Sequence, residues 1–331
     1  MRYQPVRLQP PAGHSLAEMS HFFTPACTHV LGIAWDQATK PGTRFSIVRW
    51  DRQGAAEVVL GRLHESHGRV VGNDAGLVVI SACRVVDGPA AKPLAFTVGS
   101  GLVTDLGAPY PGLTGVNDMN AAGVFVGYSR TLTGSIGFVA TVTGMRVVTP
   151  PAPAAEVVAK GINDGGVVVG TWTNPGRPAR GFVERGGVTE DLGEFDVTRV
   201  NNASIAVACR STDRSAWGTI DLNQRPYELR PLAVPRRCSG IQMASSIDDR
   251  GVAGGYCEWT GFASSQGSLL RADASFTVDE LVGQPGKAGF IYGHGRSGAI
   301  SGVMKGSDWF LAEPVPDAPP NPRAAIRPRL R

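Results

Sequence analysis

Short apolar runs alternate along this chain with tight polar turns, and the alternation is itself periodic. The clearest copies are Gly161-Ile-Asn-Asp-Gly-Gly-Val-Val-Val-Gly170 and Gly115-Val-Asn-Asp-Met-Asn-Ala-Ala-Gly-Val-Phe-Val-Gly127. Degenerate copies run through Asn73, Asn201, Asp248 and Gly295, and the weakest passes through Thr28-His-Val-Leu-Gly32. Aligned on the turn, the strand that follows begins after residues 28, 76, 123, 166, 204, 251 and 298, a spacing of 38 to 48 residues. Runs this short, rich in β-branched residues and bounded by Asn, Asp and Gly, predict strands rather than helices. Repetition at this length predicts a radial or stacked β-array, because each unit can bury its faces only against its neighbours.

The third copy gives the anatomy of one unit. A strand over 113–117 meets a turn at 118–122, and a second strand covers 123–128. A polar loop leads to a third strand over 137–142, and Thr143-Gly144 turns the chain into a fourth over 145–149. Four short strands joined by hairpins describe a propeller blade. The expected fold is therefore all-β, a seven-bladed β-propeller formed by residues 1–313 as one domain. The seventh unit stops at Asp308-Trp-Phe-Leu-Ala-Glu313, one strand short, while Tyr3-Gln-Pro-Val-Arg-Leu8 is a strand without a unit. Pairing the two closes the ring and leaves no open sheet edge. Residues 314–331, rich in Pro and Arg, lack periodicity and read as a disordered tail.

The repeated Ile-Asn-x-x-Gly-x-Val-Val-Gly, followed by Gly-Phe-Val and Asp-Leu-Gly as in 181–193, resembles the bacterial HAF-repeat family. The resemblance covers about residues 3 to 313 and is strongest at Asn117, Gly123, Gly127, Asn163, Gly166 and Gly170. It implies a β-propeller and an extracellular setting, and it implies no particular reaction.

Composition narrows the function classes only slightly. Charged residues are 18% and the net charge is +4, too little to argue for nucleic acid. No apolar run is long enough to span a bilayer as a helix, so no membrane partner is expected. The opening residues Met1–Leu8 carry no apolar signal core. Five cysteines, odd in number and without CxxC spacing, read mainly as buried thiols, with one or two disulfides as the alternative. Those two observations favour the cytoplasm, against the resemblance.

Chemistry is expected at one mouth of the ring, on the loops between units and between second and third strands, with the Asn-Asp-Gly turns on the opposite face. Arginines recur in these loops, and Arg130, Arg177, Arg180 and Arg210, with Trp259 for stacking, are the candidate ligand-binding residues. The reading is a monomeric binding module for a protein partner or a small anionic ligand, with no cofactor. The alternative is a propeller enzyme (lyase, hydrolase or cyclase), for which His64, Glu65, His67 and Tyr110 are the candidate acid–base groups. His64 and His67 are also the one His pair close enough in sequence to suggest a metal, yet a strand would point them to opposite faces. Gly293-His-Gly-Arg-Ser-Gly298 matches a dinucleotide-binding fingerprint, but it occupies the turn slot of the seventh repeat and precedes a strand.

Overall fold

The computed structural model describes residues 2–16, 22–37, 45–84, 92–100, 102–107, 114–260, 265–284, 287–304 and 308–315. Their regular structure is almost all strand, joined by turns and loops, and the one helix among them is the single turn Val278–Leu281. Each repeat is a run of antiparallel strands in sequence order. In the fourth they are Glu156–Ile162, Val168–Thr173, Arg180–Arg185 and Val188–Gly193. The second strand is buried on both faces, as the near-continuous Val-Val-Gly-Thr-Trp run requires. The outermost strands, such as Gly144–Val147, are largely exposed.

No single centre holds the core. Val126 and Val139 of the third repeat pack against Val157, Ile162, Val168 and Phe182 of the fourth. Val169, Val183 and Leu192 of the fourth pack in turn against Phe195, Val197 and Ala206 of the fifth. Sheets lie face to face around the molecule, so each repeat is stabilised by burial against the next. The second glycine of the repeat serves this packing. A Cβ at Gly127 would collide with the Gly115 carbonyl and the Phe138 ring, and one at Gly170 with the Val158 carbonyl and the Phe182 ring.

The turns do more than reverse the chain. Asn73, Asn120, Asn163 and Asn201 each accept at Oδ1 the backbone N–H four residues on, at 2.8–3.0 Å. Each then donates from Nδ2 to a carbonyl of the next turn: Ala121, Asn163, Asn201 and Asp248 respectively, at 2.9–3.3 Å. Further bonds link the remaining neighbours. The Ala26 N–H donates to Asp74, the Asp249 N–H to the Arg296 carbonyl, and the Ser297 N–H to Cys27 Sγ. One side chain that both accepts and donates is what these positions need, and this selects Asn.

The register in the third repeat corrects the sequence reading. The first strand runs Thr114–Met119, and the turn asparagine is Asn120, not Asn117. Asn117 instead sits in a β-bulge, where the pairing slips between Val116 and Asp118. The same slip recurs in the first strands at 159/161, 197/199, 244/246 and 291/293. A bulge at one fixed register re-aims the residues just before each turn.

At the chain ends, strand Arg2–Arg7 pairs antiparallel with Asp308–Val315, with Gln4 opposite Glu313 and Val6 opposite Leu311. The last strand thus reaches Val315, two residues into the segment expected to be a tail; residues 316–331 lie outside the described residues. Cysteine usage also differs from the expectation. Cys238 and Cys257 form a disulfide between the first two strands of the sixth repeat, while Cys27 and Cys209 are free and buried.

Candidate functional site

Two loop sets do share one end of the molecule. The Ala155 N–H, just before a first strand, donates to Asn174 Oδ1, which follows a second strand, and Asn174 Nδ2 donates to the Pro153 carbonyl. Beside them lies a groove of about 520 Å³ lined by Pro151, Trp172, Arg177, Arg180, Asp191 and Glu194, among others. Arg180 is tied within it. Its guanidinium contacts Asp191 at 2.5–3.2 Å and lies 5.6 Å over the Trp172 ring, and the Asp191 hydrogen bond holds its pKa above the ordinary arginine value. Arg177 is exposed at the rim and makes no ion pair among the described residues.

The other candidates do not converge there. Arg210 ends the strand Ile205–Arg210, is exposed and stacks 5.8 Å over Phe195; the loop that follows is joined to this one by the Ser211 Oγ–H bond to the Ala179 carbonyl. Arg130 lines a separate groove of about 600 Å³ with Tyr128, Leu132 and Glu156. Trp259 corrects the sequence reading: it is 4% exposed and therefore offers no stacking face to a ligand. His64, Glu65 and His67 fall within strand Ala56–Gly72, but their side chains lie outside the described residues, as does Tyr110 entirely.

A second concentration of polar groups was not foreseen. The first strands of successive repeats touch one another, and several border a common cavity of about 70 Å³. Its lining includes Phe22, Asp118, Met119, Arg199, Ser246, Ile291 and Arg296. Arg199 is 13% exposed and bridges three repeats, donating from Nη1 to the carbonyls of Lys160 and Thr198 and from Nη2 to that of Asn117 at 3.0 Å. Burial works against its charge, and the Asp118 carboxylate opposes that effect. Asp118 accepts backbone N–H groups from Met119 and Ile162, each at 3.0 Å.

Arg296 crosses the turn end of this cavity. It donates to the Ile162 carbonyl and to Asn202 Oδ1 at 3.2 Å and pairs with Asp164. The glycine-rich stretch at 293–298 is thus the end of a strand and the turn over 295–298, with Gly298 at φ +89°, whose arginine spans to the fourth and fifth repeats. In the cavity wall, the His294 side chain is fully enclosed. Its Nδ1 lies 3.4 Å from Ser246 Oγ, and its Nε2 is 3.9 Å from Asp248 Oδ2 without a hydrogen bond. Burial pulls its pKa down to about 4, so it is neutral at pH 7, with Asp248 favouring and Arg250 opposing the proton.

Sequence did carry a signal for this cluster. Asp118 and Arg199 are charges set two residues before a turn asparagine, at the end of strands otherwise buried. Misplacing the third turn onto Asn117 hid the correspondence.

No family model matches the chain, and no curated protein does. Solved structures do. The β-propeller domain of the trilobed protease from Pyrococcus furiosus, described as having an open velcro topology, aligns with a TM-score of 0.57 at 8% identity, over 92% of this chain and 93% of that one. YCF48 bound to D1 peptide aligns at 0.53 and 9% identity, over 97% and 98%. A prolyl endopeptidase aligns at 0.63 and 10% identity over 88% of this chain, which spans only 46% of its length. Identities this low speak to fold alone, and on that ground the chain is an all-β protein of β-propeller type.

Proposed function

We propose that this chain is a closed, seven-bladed propeller of the HAF-repeat kind, and that it serves as a binding module for a protein partner. The pairing of Arg2–Arg7 with Asp308–Val315 and the turn-to-turn hydrogen bonds support closure. The Cys238–Cys257 bridge suits an oxidising compartment, in line with the extracellular setting of that family.

The binding reading rests on Arg177. The Arg180–Asp191 pair is neutral and anchored on Trp172, which leaves Arg177 as the exposed, unpaired cation at the rim of a groove edged by Pro151 and Pro178. Such a groove suits an extended segment carrying a carboxylate, which Arg177 can grip through two parallel N–H bonds. YCF48, a propeller of similar extent, is known with a peptide bound. The enzyme alternative would need its acid–base groups to converge. Among the described residues lining this groove, Arg180 and Asp191 are spent on each other, and exposed Glu194 has no acid–base partner beside it.

The test is a panel of extended peptides bearing glutamates, measured by fluorescence anisotropy against lysine-bearing and glutamine-bearing versions. Binding should select the acidic set, and Arg177→Glu should weaken it at least about tenfold. Arg130→Glu, in a different groove, should change it little. Equal binding of acidic and basic peptides, or an unaltered Arg177→Glu, would overturn the reading.

A further inference from the structure

The cavity enclosed by the first strands is built differently from the loop groove, and its features are independent of it. Arg199 and Asp118 face each other there, 13% and 10% exposed, with Arg199 Nε 4.0 Å from Asp118 Oδ2. That separation is too long for a direct hydrogen bond. Arg199 has five N–H donors and spends three of them on carbonyls, which leaves the Nε–H and one Nη2–H. Asp118 accepts two backbone N–H groups and keeps lone pairs free. A buried guanidinium and a buried carboxylate with unspent capacity on both sides call for a group between them.

The surrounding shape limits what that group can be. Arg296, itself 14% exposed, lies across the turn end of the cavity. The remaining walls are mixed: Phe22, Met119 and Ile291 supply apolar surface, and Ser246 and His294 supply polar surface. A water needs about 10–15 Å³ of such volume, so about 70 Å³ takes roughly five water-sized groups. Bridging blades explains why Arg199 bonds three carbonyls. It does not explain the free donors, the free lone pairs or the space beside them.

We propose that this cavity is a binding site for a small zwitterion, an α-amino acid of about the size of glycine or alanine, with its carboxylate on Arg199 and its ammonium on Asp118. An anion alone would leave Asp118 unanswered and face its charge, and a cation alone would do the same to Arg199. A zwitterion answers both and leaves the site's net charge unchanged. Phe22, Met119 and Ile291 can take a methyl side chain, and about 70 Å³ disfavours a large one.

Glycine and alanine, titrated by calorimetry into the full chain, should each bind saturably at one site. Acetate, methylammonium and leucine should bind at least about tenfold more weakly. Asp118→Asn and Arg199→Lys should each weaken glycine binding about tenfold or more, while Arg177→Glu should leave it unchanged. That last variant separates this site from the loop groove, because a failure of either leaves the other standing. If Arg199→Lys does not fold, Met119→Phe fills the cavity without touching the charges and should abolish binding. No saturable heat with either amino acid, equal binding of acetate and glycine, or glycine binding unaffected by Asp118→Asn would each overturn the proposal and leave the cavity to water.

Discussion

His294 shows how far one side chain's behaviour depends on where the fold puts it. The residue stands in a glycine-rich turn sequence that looks solvated, yet its side chain is fully enclosed and its Nε2 has no hydrogen-bond partner among the described residues. Its folded-state pKa, about 4, lies below the ordinary value of 6.5. In the window between these values the unfolded chain binds a proton that the native state refuses. Stability contributed by His294 is therefore full above pH 6.5 and declines as pH falls toward 4, by roughly 3 kcal/mol in all. Denaturation midpoints measured from pH 7 to pH 4 should fall less steeply in His294→Gln than in the parent. Parallel profiles would show that the imidazole is not held neutral. Trp259 teaches the opposite lesson: an aromatic expected at a loop proves to be interior, because it closes the strand Ala253–Trp259, paired with Cys238 of the neighbouring strand.

At the scale of elements, the turn is the unit that sequence read well and understood only in part. Asn and Asp bound each run because both tolerate turn geometry. The structure adds that asparagine stitches neighbouring sheets, taking an N–H from its own turn and giving one to the next. Asp248 is the informative exception. A carboxylate in that slot cannot donate, and here it is gripped by its own Arg250 at 2.8 and 3.0 Å. Asn163 has no such arginine, and it is buried. Asn163→Asp should accordingly cost about 1–3 kcal/mol in urea denaturation, since it sets a carboxylate oxygen against the Asn201 carbonyl. A cost below a few tenths would remove the stitching role. Strand order and hairpin connections were legible because they follow from local alternation. The repeated bulge was not, because a bulge is defined by the partner strand's register, and the Cys238–Cys257 bridge was hidden for the same reason.

At the scale of the whole molecule, the strands at the two chain ends pair with each other. The first strand contributes six paired residues, buries Tyr3, and sends the Tyr3 hydroxyl to the Gly298 carbonyl at 2.9 Å. Leu8, which follows, is enclosed with Trp50, Trp309 and Leu311. Deleting residues 1–9 exposes the edge of the last strand and that cluster together, and should lower the melting temperature by roughly 5–10 °C with a rise in association. An unchanged melt and an unchanged monomer would sink the closed-ring reading.

The sequence by itself determined what repeats: short strands, their turns, the sequence order in which they pair, and an orphan strand at one end to meet an unfinished repeat at the other. These are local properties, written in periodic alternation and in residues that tolerate tight turns, so they can be read one unit at a time. Only the tertiary structure decided what meets in the middle. Asp118, Arg199, Ser246 and Arg296 belong to four different repeats, and the shared register of the first three before their turns does not say how closely they approach. Their convergence depends on how the sheets pack and on a bulge that turns the end of each first strand toward a shared space. The physical reason is that a site built from several repeats is a property of their arrangement, which local periodicity constrains without specifying.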